Sequence, residues 1–134
     1  MMFTKLNTMD ILVVDHDRAS RALLRAMLFT LGYQNLRLAE RGRQAMEHCR
    51  EKWPDCILMD LLLPDMDGWM VTKALRDDER PSGRRGYIVA VTGYVAKGLR
   101  QTCLDHGMDE YLPKPFRLAE LEEVLLSASG SLEV

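Results

Sequence analysis

The chain reads as an α/β protein, a doubly wound domain in which a five-stranded parallel sheet is covered by helices on both faces. Three observations predict it. Short apolar runs rich in β-branched residues recur at Ile11 to Val14, in "DCILMD" and in "YIVAVTG", each closed by a polar residue. Between them the apolar spacing changes to three and four, as an amphipathic helix requires. The length of 134 residues suffices for one buried core and leaves no room for a second.

Taken in order, Ile11 to Val14 is the first strand, buried on both faces, and Asp15 ends it. From Arg18 the spacing becomes helical: Ala19, Leu23 and Met27 fall four apart with Ala22 and Ala26 beside them, and Gly32 stands where the helix should stop. "NLRLAE" is a short strand, Gly42 to Lys52 a helix burying Ala45, Met46 and Cys49, and "DCILMD" a buried strand ending at Asp60. After "LLLPDMDG" a helix is expected from Trp69 to Asp77. The polar segment "DERPSGRRG" then reads as a loop. "YIVAVTG" is the fourth strand, Ala96 to His106 a weak helix with an internal Gly98, and "DEYL" the fifth strand. Leu118, Leu121, Val124, Leu125 and Ala128 form the stripe of a final helix.

Composition narrows the function. With 47% hydrophobic residues, 28% charged residues and a formal net charge of -2, the chain is an ordinary globular protein without broad attraction for nucleic acid or an acidic membrane. Cys49, Cys56 and Cys103 lack metal-ligand spacing and read as thiols of a reducing compartment. There is no signal-peptide core and no membrane span, so a cytoplasmic location is expected.

Strands alternating with helices imply right-handed crossovers, and ligands of such sheets bind beyond the carboxyl ends of the strands. The polar residues sit there: Asp15, His16 and Asp17 after the first strand, Asp60 after the third, Thr92 after the fourth, and Lys114 after the fifth. Crowded carboxylates repel one another unless a cation is near, and hard oxygen donors suit Mg2+, which keeps several waters. A lysine and a hydroxyl complement a tetrahedral anion. Such a set fits phosphoryl transfer with a carboxylate as acceptor.

In the order "VVDHD", "ILMDLLLPDMDG", "VAVTG", "YLPKPF", over about 105 of 134 residues, the chain resembles the receiver domain of two-component response regulators. The resemblance implies a flavodoxin-like (βα)5 fold with strand order 2-1-3-4-5, an N-terminal extension over 1–9, the receiver domain over 10–128 and a tail over 129–134. It implies a signalling module, not an enzyme, with Asp60 as phosphoacceptor, Thr92 as switch hydroxyl and Lys114 pairing with the phosphoryl group. Mg2+ would be held by Asp15, Asp60 and the Leu62 carbonyl, and Tyr111 would change its exposure on activation. Pro115 follows Lys114 as the family's Lys-Pro pair does, often through a cis bond. The donor would be a histidine kinase or histidine phosphotransfer domain, and the output face would be formed by the fourth helix, fifth strand and fifth helix. A phosphorylation-dependent homodimer is compatible with it. With no output domain after the last helix, the sequence fits either a stand-alone receiver or one excised from a hybrid kinase.

One position departs from the pattern. Receivers usually place two adjacent acids after the first strand, whereas Asp15 is followed by His16. Its imidazole either points into solvent or stands at the metal, and weaker Mg2+ binding is expected. Asp17 suits a helix N-cap, and Asp65 and Asp67 suit the turn and the start of the following helix. Partner docking is expected on Arg18, Ala19 and Ala22 of the first helix with Pro115 and Phe116 alongside. Two rivals are a pseudo-receiver that is never phosphorylated and a haloacid-dehalogenase-type phosphatase built on "VVDHDRA". The position of Asp60 ahead of Thr92 and Lys114 counts against the latter.

Overall fold

In the computed structural model, which describes residues 8–82 and 85–132, strands and helices alternate as β1 (Ile11–Val14), α1 (Arg18–Thr30), β2 (Leu36–Ala39), α2 (Gly42–Glu51), β3 (Cys56–Met59), α3 (Gly68–Ser82), β4 (Tyr87–Thr92), α4 (Leu99–Asp105), β5 (Glu110–Pro113) and α5 (Leu118–Ser131). Residues 1–7 of the expected N-terminal extension, Gly83 and Arg84 of the polar segment, and Glu133 and Val134 of the expected tail lie outside the described residues. All pairings are parallel and the order is β2-β1-β3-β4-β5, a flavodoxin-like sheet. Val14 stands opposite Ala39 and Met59, and Thr92 opposite Pro113, so Asp15, Asp60 and Lys114 leave the sheet at one edge.

Strand alternation divides the core in two. Ile11, Val13, Leu58, Val89 and Leu112 point to one face, where Leu24 and Leu28 of α1 and Leu121, Leu125 and Ala128 of α5 cover them. Leu12, Val14, Ile57, Met59, Ile88 and Ala90 point to the other, under Ala45 and Cys49 of α2, Val71 and Leu75 of α3, and Cys103 of α4. Each fully buried Leu or Ile contributes roughly 1.5–3 kcal/mol of transfer free energy.

Three expectations are corrected. The buried flank of α1 is Leu24 and Leu28, with Met27 and Leu31 partly buried, while Leu23 is 60% exposed; Ala19 and Ala22 face outward, where the expected docking surface needs them. Spacings of three and four mark a helix without choosing between two apolar flanks, and the larger leucines fill the space against β1 and α5. Helix α3 runs on past Asp77 to Ser82. Its last turns are cross-linked through Arg76, which bonds Glu79 at 2.9 Å and the carbonyls of Gly86 at 2.7 Å and Gly107 at 2.9 Å. Helix α4 begins at Leu99, not Ala96, because Gly98 adopts a left-handed φ of 74° at its N-cap. Asp65 keeps the expected place in its turn, where the Asp65 and Met66 N–H groups help to lower its pKa, and it also reaches further. It accepts from the N–H groups of Gly42 (2.8 Å) and Arg43 (2.9 Å) and so caps α2, whose own N-cap residue Arg41 makes no side-chain bond. Asp67 does cap α3, accepting from Met70 N at 2.8 Å, and Asp17 caps α1, accepting from Ser20 N at 2.9 Å.

Candidate functional site

Asp15 is 2% exposed at the end of β1. One of its oxygens accepts from Asp17 N at 2.9 Å, and the other meets the Lys114 ammonium at 2.6 Å. The same ammonium lies 3.6 Å from Asp60 Oδ2, and Leu62 N donates to Asp60 Oδ1 at 3.2 Å. Lys114 therefore stands between two carboxylates, close to the first and within a short swing of the second. Its backbone N–H bonds Thr92 O at 2.9 Å, which ties the end of β5 to β4, and the peptide bond to Pro115 is cis.

Burial raises the Asp60 carboxyl above the usual carboxylate range. The Leu62 N–H and the Lys114 charge oppose the rise, and the Asp15 charge adds to it. A half-buried carboxylate with that balance favours whatever neutralises or derivatises it. The Thr92 hydroxyl, buried, accepts from Tyr94 N at 3.1 Å. Asp60, Thr92, His16, Leu62 and Tyr94 together line an open cavity of about 540 Å³.

The turn after Asp60 is held by a backbone approach that only glycine permits. A Cβ at Gly68 would fall 2.5 Å from Asp60 O, and Gly68 N donates to Leu61 O at 2.8 Å. Sequence reading missed Arg21, whose guanidinium bonds the carbonyls of Asp15 (2.8 Å) and His16 (2.9 Å) and pins the loop that carries both. A basic residue on the inner flank of α1 one turn after the acid was its only signal.

His16 is exposed, and its ring reaches the same cavity as Asp60. Among the described residues no three His, Cys, Asp or Glu side chains gather to hold a metal. The cavity offers the Asp60 carboxylate and Leu62, with the Asp15 carboxylate on the far side of Lys114, a hard-oxygen set that suits a cation carrying most of its own water. Tyr111 is half-buried in β5 against the α2–α4 side of the core, away from this cavity. Ala19 and Ala22 are exposed on α1. Beside that helix a second groove of about 350 Å³ is lined by Ser20, Leu23, Leu24, Lys114, Pro115 and Phe116.

Residues 11–126 match the family model of the response regulator receiver domain. The chain belongs to that family. It is 41% identical over 113 residues to the response regulator MprA of Mycolicibacterium vanbaalenii, covering 83% of this chain and 46% of that protein, so the chain spans under half that relative's length. It superposes, with a TM-score of 0.81 and 37% identity, on the receiver domain of the sensor histidine kinase PA1611 from Pseudomonas aeruginosa, which holds a magnesium ion in its active-site cleft; the match covers 92% of this chain and 98% of that one. It also resembles the receiver domain of Ssk1 from Saccharomyces cerevisiae, solved with the histidine phosphotransfer protein Ypd1, at a TM-score of 0.84 and 26% identity over 96% of this chain and 93% of that one. Receiver domains are signalling domains of two-component systems, not classical enzymes. No helix among the described residues is long and apolar enough to cross a membrane.

Proposed function

We propose that this receiver domain accepts a phosphoryl group on Asp60 from the phosphohistidine of a histidine kinase or histidine phosphotransfer domain. The observation that carries the reading is Lys114, 2.6 Å from Asp15 and 3.6 Å from Asp60, the latter a carboxylate that with Thr92 lines an open cavity. An Asp60 oxygen attacks phosphorus, the P–N bond to the donor imidazole breaks, and its electron pair stays on the nitrogen. Asp15, Asp60 and the Leu62 carbonyl would hold Mg2+, which would supply neutralisation of the phosphoryl oxygens. Lys114 turns from Asp15 toward the new oxygens, and the Thr92 hydroxyl donates to one of them.

Thr92 already makes a side-chain hydrogen bond to Asp60, and movement of its side chain toward the new oxygens stretches the 3.1 Å bond that its Oγ1 accepts from Tyr94 N. The loop from Gly93 to Gly98 is then loosened at its root. It leads to α4, seven residues long and without a side-chain N-cap, which a small force can shift. The signal reaches the face formed by α4, β5 and α5, with Tyr111 as the side chain that changes exposure.

The test is intact mass after treatment with a small acyl phosphate, with and without Mg2+. One added phosphoryl group is expected in the parent and none in Asp60→Asn. Labelling that persisted in the variant would overturn the assignment.

A further inference from the structure

We infer that the donor presents an acidic flank beside its phosphohistidine, seated against the outer edge of α1. The inference rests on the phosphoacceptor reading above and adds the chemistry of the partner. In a chain of formal net charge -2, α1 carries Arg18, Arg21 and Arg25 and no carboxylate. Arg21 is committed to the carbonyls of Asp15 and His16. Arg18 and Arg25 are exposed, and Arg25 is held with its guanidinium 5.0 Å from the centre of the Phe29 ring, so its charge is presented on a fixed apolar base.

Across the exposed Ala19, Ala22 and Ala26 from this row lies the apolar groove of Leu23, Pro115 and Phe116, which Lys114 also lines and which thereby neighbours the acceptor. An occupant that fills this groove beside Lys114 lies across the exposed face of α1 and within reach of Asp60. A protein helix fits: an apolar side chain enters the groove, and carboxylates on its flank meet Arg18 and Arg25. Two free arginines are too few to track a nucleic-acid backbone, whose binding scales with the number of phosphates neutralised. Charges at such a rim act mainly on the rate of encounter.

The probes are synthetic helical peptides of equal length, each with one phosphohistidine and flanks of Glu, Gln or Lys. Transfer to the parent should be fastest from the Glu peptide and slowest from the Lys peptide. The spread should be about tenfold at low salt and should narrow as salt shortens the screening length. In Arg18→Glu/Arg25→Glu the order should invert, while labelling by a small acyl phosphate stays as in the parent. Arg50→Glu/Lys73→Glu makes the same change of charge on α2 and α3, the helices of the opposite sheet face, and should keep the parent's order. An unchanged order in the α1 variant, or inversion in both variants, would overturn the inference with the phosphoacceptor reading intact. Failure of every donor, the acyl phosphate included, would overturn that reading and this one with it.

Discussion

At the amino ends of β4 and β5 the Arg76 guanidinium bonds Asp109 at 2.7 Å, Glu79 at 2.9 Å and two carbonyls, while Arg85 reaches Asp109 from the other side at 2.7 Å and Ile88 N donates to it at 2.9 Å. At the carboxyl ends one ammonium, Lys114, serves both Asp15 and Asp60. The pKa directions differ accordingly. Burial alone would raise Asp109, but the bonds from Arg85 and Ile88 and the charges of Arg76 and Arg85 bring it below the usual range, whereas Asp60 stays above it. Charge is matched at the amino ends of the strands and left short at the carboxyl ends, where Asp60 stands.

Breaking the matched end should give the largest effect on stability. Arg76→Ala leaves Asp109, only 13% exposed, without its partner from α3 and uncovers the carbonyls of Gly86 and Gly107. Loss of one member of a buried pair costs about 3 kcal/mol or more. The urea midpoint should fall with little change in slope, and the folded variant should still take up one phosphoryl group. A shift under about 0.5 kcal/mol, the range of an ordinary surface substitution, would show the network to be dispensable.

That network was the part least legible in the sequence. Arg76 stands ahead of a polar stretch that reads as loop, and its acceptors Gly107 and Asp109 lie 31 and 33 residues further on. The second role of Asp65 was hidden for the same reason, since nothing local shows that a carboxylate in one loop caps a helix begun in another. The sheet was legible because each apolar run ends in a polar residue, and a parallel sheet brings those ends to one edge. Asp15, Asp60, Thr92 and Lys114 could therefore be grouped before their distances were known. The outward face of α1 could not, because Leu23 and Leu24 are equally apolar and only packing decides between them.

The under-matched end can be pushed further out of balance. His16→Asp adds a third carboxylate beside Asp15. Without metal the melting temperature should drop at pH 7. Mg2+ should restore it through tighter binding, as a ligand specific for the folded state must, with affinity about tenfold above the parent by calorimetry. Equal Mg2+ affinity in parent and variant would place His16 outside the metal's surroundings.

The lifetime of the phosphorylated state should follow from the same cavity. Hydrolysis needs a water in line with the P–O bond to Asp60, and Leu62, 61% exposed on the cavity wall, cannot orient one. Leu62→Asn should speed decay several-fold, about 1 kcal/mol of barrier, when phosphorylated mass is followed in Mg2+ after donor removal. Tyr94 also lines the cavity and narrows its mouth, so Tyr94→Glu should act in the same direction with a smaller effect. Slower decay in Leu62→Asn than in the parent would refute the argument.

The smallest effect is the most direct measure of the imbalance. Because the folded state raises the Asp60 pKa, ionised Asp60 disfavours the folded protein, and the penalty is full only above the raised value. Asp60→Asn removes it and should be modestly more stable than the parent at pH 7. As pH falls through the raised value the parent's folded Asp60 protonates and the difference begins to shrink, and it should close only as pH falls past the ordinary carboxylate pKa, where the unfolded state is protonated too. Asp109 behaves oppositely: its lowered pKa stabilises the folded state above the ordinary carboxylate value, and that contribution is lost as pH falls through the lowered one. Acid should therefore bring the parent and Asp60→Asn together while weakening both through Asp109. Urea midpoints across pH 3–7 read this directly, and a gap between the two proteins that widened toward acid would show that burial does not dominate at Asp60.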